Sequence, residues 1–391
     1  MLRPAAEPGL IGRKRALSRS FCHNFAMQAL TFQAGPLAMA RLAERGLQAQ
    51  DVAIVPAAAG GPKGLIFQSM DQWLFGEWLP TAPRERILIG ASIGAWRMAA
   101  ACQKDPVKAF ARLGELYAGQ RYTSLKPTPQ DIDAVVQALL QELVRGHEDD
   151  IVNHPHHRLH LVTTRGLRSL AAPAHRQAEL RGFMSAALHN AGSRAWLARL
   201  MERVVIGDAR SNAPWLRERF DGFTTHFSPL TRDNLAAGLL ASGTLPLIMK
   251  AVTGIAGAPA GSYWDGGMVD YHLALPYARA AGAEQGELVL YPHFSDHIVP
   301  GWLDKGFPWR RTARGVHRGW LDNVLLVTPS TDFIRSLPRS KLPDRTDFKF
   351  HGLNHDGRVH AWTRAMQEAQ RMRDELAEFV RKPDLARVRP F

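Results

Sequence analysis

The stretch "RILIGASIGAWRMAA" (residues 86–100) runs from an apolar segment, through two glycines flanking a serine, into an alanine-rich segment. A short apolar run that ends in a glycine-bounded turn reads as a strand, and "ASIGAWRMAAACQ" (91–103) reads as the helix leaving that turn. The same order occurs just upstream. "DVAIVPAA" (51–58) is a short apolar strand, "AGGPKGL" (59–65) a glycine-rich turn, and "LIFQSMDQWLFGEWL" (65–79) resumes a helical period. Two successive βα units predict an α/β fold with a mainly parallel sheet and helices on its faces. Further strands are predicted at 158–164, 222–228, 286–292 and 323–329. Helices are predicted at 36–47 and near 105–118, 129–145, 193–203, 231–241 and 358–381. The stretch 104–155 reads as a helical insertion between strands. With no internal repeat and no obvious linker, residues 27–391 are expected to form a single domain.

Composition narrows the function classes. The chain has 391 residues, 46% of them hydrophobic and 22% charged, which is a globular balance. Two cysteines, Cys22 and Cys102, supply neither a disulfide framework nor a metal set, so a reducing, cytoplasmic setting is expected. The formal net charge is +13. It fits either docking on an anionic membrane surface or an ordinary solvated surface rich in arginine. The basic residues are dispersed and no nucleic-acid-binding motif accompanies them, so nucleic acid is not an expected partner. Residues 1–26 carry five Arg or Lys against one acid. They read as a disordered or transit-like basic arm, with Met27 as an alternative start. The most apolar stretch, "LAAGLLASGTLPLIM" (235–249), is too short to span a bilayer and holds Pro246, so it reads as core.

Gly90, Ala91, Ser92, Ile93 and Gly94 fit G-x-S-x-G. A strand leads in and a helix leads out, as in a nucleophile elbow, where flanking glycines permit a strained turn that presents the serine hydroxyl. The competing reading is close strand–helix packing at two small residues. A nucleophilic serine needs an oxyanion hole, and the turn at 59–65 offers backbone N–H groups at Gly60, Gly61, Lys63 and Gly64; Pro62 has none. That turn is neither a P-loop nor a dinucleotide fingerprint, since the residue after Lys63 is glycine and no G-x-G-x-x-G is present. A base is also required. Asp265 precedes Gly266 and Gly267 in "SYWDGGMVDYH" (262–272), while His272, His293 and His297 offer the alternative of a Ser-Asp-His triad.

In combination these features resemble the patatin-like phospholipases. The glycine-rich turn, the G-x-S-x-G, "ASGTLPLIM" (241–249) as an A-S-x-x-x-P segment, and the D-G-G at 265–267 stand in that family's order. The resemblance covers residues from about 50 to 275. It implies a three-layer α/β sandwich and a lipid acyl hydrolase with a Ser92–Asp265 dyad, needing no cofactor and no metal. It also implies an oxyanion hole from Gly60, Gly61 and their neighbours, a lipid ester as substrate, and peripheral membrane contact. Ala59 stands where the family's turn has its first glycine. A catalytically silent lipid- or partner-binding member of the family is the alternative this difference suggests. "HPHHRLH" (154–160) reads as the loop lead-in to a strand rather than as a metal set. "YPHFSDHIVPGWLDKGFPWRR" (291–311) reads either as a membrane-contacting loop or as an aromatic cluster beside the site.

Overall fold

The two expected strand–turn–helix units lie in the middle of a ten-stranded sheet. The computed structural model describes residues 28–211, 213–280, 282, 285–311 and 317–391; the basic segment 1–26 lies outside the described residues. The strands are β1 (Leu30–Ala34), β2 (Val52–Ala57), β3 (Arg86–Ala91), β4 (His157–Gly166), β5 (Met201–Gly207), β6 (Thr225–Pro229), β7 (Tyr263–Asp265), β8 (Leu288–Pro292), β9 (Val324–Pro329) and β10 (Val388–Pro390). Their spatial order is β10-β1-β9-β8-β2-β3-β4-β5-β6, with β7 paired to β4 off that path. The run β9-β8-β2-β3-β4 is parallel throughout, and antiparallel pairings occur at β1–β9, β4–β5 and β4–β7.

Every residue of β3, β8 and β9 is buried. Side chains alternate across a strand, so burial at every position means both faces of the central sheet are covered. The fold is therefore α/β with a mostly parallel mixed sheet between packed layers. Apolar runs such as Leu88–Ile89 and Leu325–Val327 suit such strands because neither face meets water.

Helices at 106–118, 129–144 and 148–152 fill the expected insertion between β3 and β4. One expected helix is corrected. Residues 193–203 form only a short helix, Arg194–Leu197, and Met201 already begins β5. The β-branched Val204, Val205 and Ile206 pair with β4 on one side and β6 on the other, and this pairing overrides the local helical pattern. The stretch 61–81 is likewise not one regular helix. A 3₁₀ segment (Gly61–Phe67) precedes a short α-helix (Gln68–Trp73) and a π-turn (Leu74–Trp78). The closing segment divides into helices His355–Glu368 and Gln370–Arg381.

A buried ion pair ties the two βα units together. Arg97, on the helix Ile93–Ala101, donates from Nε and Nη2 to the Asp71 carboxylate at 2.7 and 2.8 Å. Burial raises the Asp71 pKa while the facing guanidinium pulls it down. Breaking such a pair leaves a lone buried charge and costs about 3–5 kcal/mol. The helix behind Ser92 is thus locked to the helix that follows the glycine turn.

Candidate active site

The β3 strand ends at Ala91, and the helix Ile93–Ala101 begins one residue after Ser92. At Ser92 the backbone has φ 56° and ψ −129°. A non-glycine residue pays steric strain there, which persists only where the surroundings over-determine it. The surroundings here do. A Cβ on Gly94 would lie 1.9 Å from the Ala57 carbonyl oxygen at the end of β2, and one on Gly90 would lie 2.5 Å from the Ala95 backbone. Close packing and a strained serine turn are therefore the same feature: the glycines let the elbow bend hard against β2. The Ser92 N–H donates to Ser242 Oγ at 2.9 Å, and Ser242 Oγ donates to the Val162 carbonyl at 2.7 Å.

Asp265 closes the three-residue β7, opposite Thr163 of β4. The sharp turn after it needs Gly266, where a Cβ would meet the Val162 carbonyl oxygen at 2.1 Å. The Gly267 N–H donates to Asp265 Oδ1 at 2.7 Å, which orients the carboxylate. Asp265 is 4% exposed. Burial raises its pKa. The Ser92 hydroxyl, the Arg345 guanidinium, the Gly267 N–H and Lys305 draw it back down without cancelling the rise. A desolvated carboxylate is a better base than one in water.

The glycine turn meets both elements. Gly60 and Lys63 line one cavity of about 250 Å³ together with Ser92, Asp265 and Gly267. Gly61, at φ +56°, occupies the left-handed region that glycine favours. A Cβ there would lie 3.3 Å from the Arg345 guanidinium. Gly64 instead presses on Ile93, which would be 2.9 Å from an added Cβ, so it allows the turn to pack on the serine helix. The N–H groups of Gly60 and Gly61 precede the first hydrogen bond of the 3₁₀ segment and have no partner among the described residues. The Ala59 N–H is spent on the Tyr271 carbonyl at 3.0 Å, and Ala59 is absent from the positive-φ residues, so its methyl group is tolerated.

Of the three histidines, none lines this cavity. His272 and His293 are buried behind it, their rings 4.3 Å apart, and each Nδ1 accepts a backbone N–H, from Val299 and Ser295 respectively. His297 pairs with Asp296 at 2.7 Å. Burial pushes the His293 pKa down to about 3. The segment 291–311 supplies an aromatic cluster: Phe294 backs Gly60, and Trp302 lines the cavity. Among the described residues no group of His, Cys, Asp and Glu is arranged to hold a metal ion. His154 and His157 of the "HPHHRLH" stretch stack on one another, ring centroids 4.2 Å apart.

A second cavity, of about 630 Å³, also reaches Ser92. Its wall is largely apolar, with Ile93, Trp96, Ile132, Val136, Ile248 and Met249. Ser92, Leu245 and Arg345 border both cavities. The sequence reading missed Ser242, Tyr271, Trp302, Lys305 and Arg345. Ser242 left a trace in the A-S-x-x-x-P segment, Tyr271 lies in the stretch around Asp265, and Trp302 and Lys305 lie in the aromatic stretch 291–311; only Arg345 lies where there is no local signal. No protein-family model matches the chain, and no curated protein matches it.

Proposed function

We propose that the chain is a patatin-like lipid acyl hydrolase that cleaves carboxylic esters through a Ser92 acyl-enzyme, with Asp265 as the general base. One observation carries the proposal: a serine in a strained strand–helix elbow shares a cavity with a buried carboxylate oriented by the Gly267 N–H. Ser92 Oγ attacks the ester carbonyl while its proton passes to Asp265. The tetrahedral oxyanion lies against the N–H groups of Gly60 and Gly61, with the positive end of the helix Ile93–Ala101 beneath it. The alcohol leaves with the proton held by Asp265. Water, deprotonated by the same carboxylate, then releases the acid and regenerates the serine.

The apolar cavity supports a long acyl chain as the group transferred. On its wall Leu125 is 71% exposed, with Lys126 and Lys349 on the same wall, and Phe350 and Leu353, next in sequence to the lining residues Lys349 and Gly352, are 62% and 51% exposed. Exposed apolar residues ringed by lysines suit contact with an anionic bilayer. Among the described residues, no helix is long and apolar enough to cross a membrane. The three histidines lie outside the cavity, which favours the dyad over a triad. The Ala59 N–H is held by the Tyr271 carbonyl, so in this reading the oxyanion hole rests on the Gly60 and Gly61 N–H groups. A fluorophosphonate probe tests the proposal. It is expected to label the wild type and not Ser92→Ala, and an unlabelled wild type would refute it.

A further inference from the structure

The cavity beside Ser92 carries more positive charge than an acyl transfer needs. Lys63 reaches it from the glycine turn, Lys305 from beyond the 3₁₀ turn Trp302–Asp304, and Arg345 from the start of the helix Thr346–His351. Among the described residues none of the three forms an ion pair. Each lies by an aromatic face instead. Lys63 Nζ is 4.7 Å from the Phe294 ring centre, Lys305 Nζ is 4.0 Å from that of Tyr271, and the Arg345 guanidinium is 5.9 Å from that of Trp302. Arg97 and Arg203, by contrast, meet carboxylates, at Asp71 and at Asp270 and Asp221. An aromatic face holds a cation in place without neutralising it or using up its N–H donors.

The acids nearby do not cancel this charge. Asp344, on the cavity wall, is already paired with Lys341 at 2.9 Å, and Asp265 serves as the base. The cations also act on one another. Burial, then Lys63, then Arg345 press the Lys305 pKa down to about 8, with Asp265 opposing them. An incoming anion would relieve that repulsion. The volume of about 250 Å³ suits a compact polar group, while the larger, mainly apolar cavity that also reaches Ser92 is left for the acyl chain.

We propose that Lys63, Lys305 and Arg345 form an anion subsite that takes a phosphate or carboxylate on the leaving-alcohol side of the ester and disfavours a headgroup bearing a quaternary ammonium. The leaving-side placement rests on Ser92 being the acylated residue; the anion binding does not. Calorimetric titration of full-length Ser92→Ala with glycerol 3-phosphate, glycerophosphocholine and inorganic phosphate tests it. Glycerol 3-phosphate is expected to bind at least about tenfold more tightly than glycerophosphocholine, with inorganic phosphate competing. Lys305→Met and Arg345→Met in that background should each weaken it about tenfold, the scale of one charge-assisted hydrogen bond. Lys108→Met, at an exposed position that lines neither cavity, should not. In the active chain the same two variants should raise KM for an anionic lipid ester several-fold more than for a neutral short-chain ester.

Selective binding without any ester hydrolysis would keep the subsite and refute the hydrolase. Equal affinity for the two glycerophosphate probes, binding of inorganic phosphate alone, or indifference to both substitutions in a folded protein would overturn the subsite.

Discussion

The Ser92 N–H donates to Ser242 Oγ at 2.9 Å, and that hydroxyl in turn donates to the Val162 carbonyl at 2.7 Å. One buried side chain thus ties the serine elbow to β4 and to the helix Arg232–Gly243. Ser242→Ala would leave the Ser92 N–H and the Val162 carbonyl without this partner, a cost of about 1–3 kcal/mol in a buried setting. We expect a lower denaturation midpoint and a kcat reduced more than KM is changed. Wild-type stability together with wild-type kcat would show that the hydroxyl does not hold the elbow.

Asp265 sets the expected pH dependence. In the proposed role of base it works ionised, and its folded pKa lies above the ordinary carboxylate value because burial outweighs the pull of Ser92, Arg345, Gly267 and Lys305. The rate of Ser92 labelling should therefore fall on acidification through a pH above the usual carboxylate range. Arg345→Met removes one of the groups holding that pKa down, so the acidic limb should move to higher pH. Asp265→Asn should lower kcat by about a thousandfold or more.

The same shift has a stability consequence with a definite sign. A carboxyl whose folded pKa is raised opposes folding once the pH exceeds its unfolded pKa, and it has no such effect well below that value. Asp265→Asn should thus unfold at a higher temperature than wild type near neutral pH. The difference should vanish in acid. Thermal melts across the pH range read both, and an equal or lower melting temperature at neutral pH would count against a desolvated carboxylate.

Gly94 separates packing from propensity. By helix propensity alone, Gly94→Ala should stabilise a helix by up to about 1 kcal/mol. The added Cβ would stand 1.9 Å from the Ala57 carbonyl oxygen, so backbone must move. Overpacking of this kind costs about 1–3 kcal/mol or more. Chemical denaturation should therefore show destabilisation, along with lost labelling of Ser92.

The apolar rim beside the larger cavity gives a membrane test. Leu125→Glu with Phe350→Glu should lower co-sedimentation with anionic vesicles about tenfold or more, since burying one such side chain contributes about 1.5–3 kcal/mol. Hydrolysis of a small water-soluble ester should be unchanged. Equal vesicle binding by the doubly substituted chain would place membrane contact elsewhere.

Local pattern was enough for the centre of this protein. The apolar runs at 52–57 and 86–91, each closing in a glycine turn before a helix, define β2 and β3 because a parallel sheet buried on both faces demands unbroken apolar strands. Ser92 and Asp265 were legible for a related reason, since each lies next to glycines that the backbone requires at close approach. The edge of the sheet was less legible. Val204, Val205 and Ile206 become β5 only because β4 and β6 lie on either side, and β1 and β10 pair across almost the whole chain.

What the sequence by itself determined is thus the βα core and the two residues set in its turns, where short-range sterics leave one arrangement. Tertiary structure decided the rest of the cavity. Lys305 and Arg345 stand far apart in sequence from Ser92 and from each other, with no motif to mark them. They meet Asp265 because the segments after β8 and β9 fold back over the carboxyl ends of the parallel strands. Long-range packing brings such charges together, and no local period encodes it.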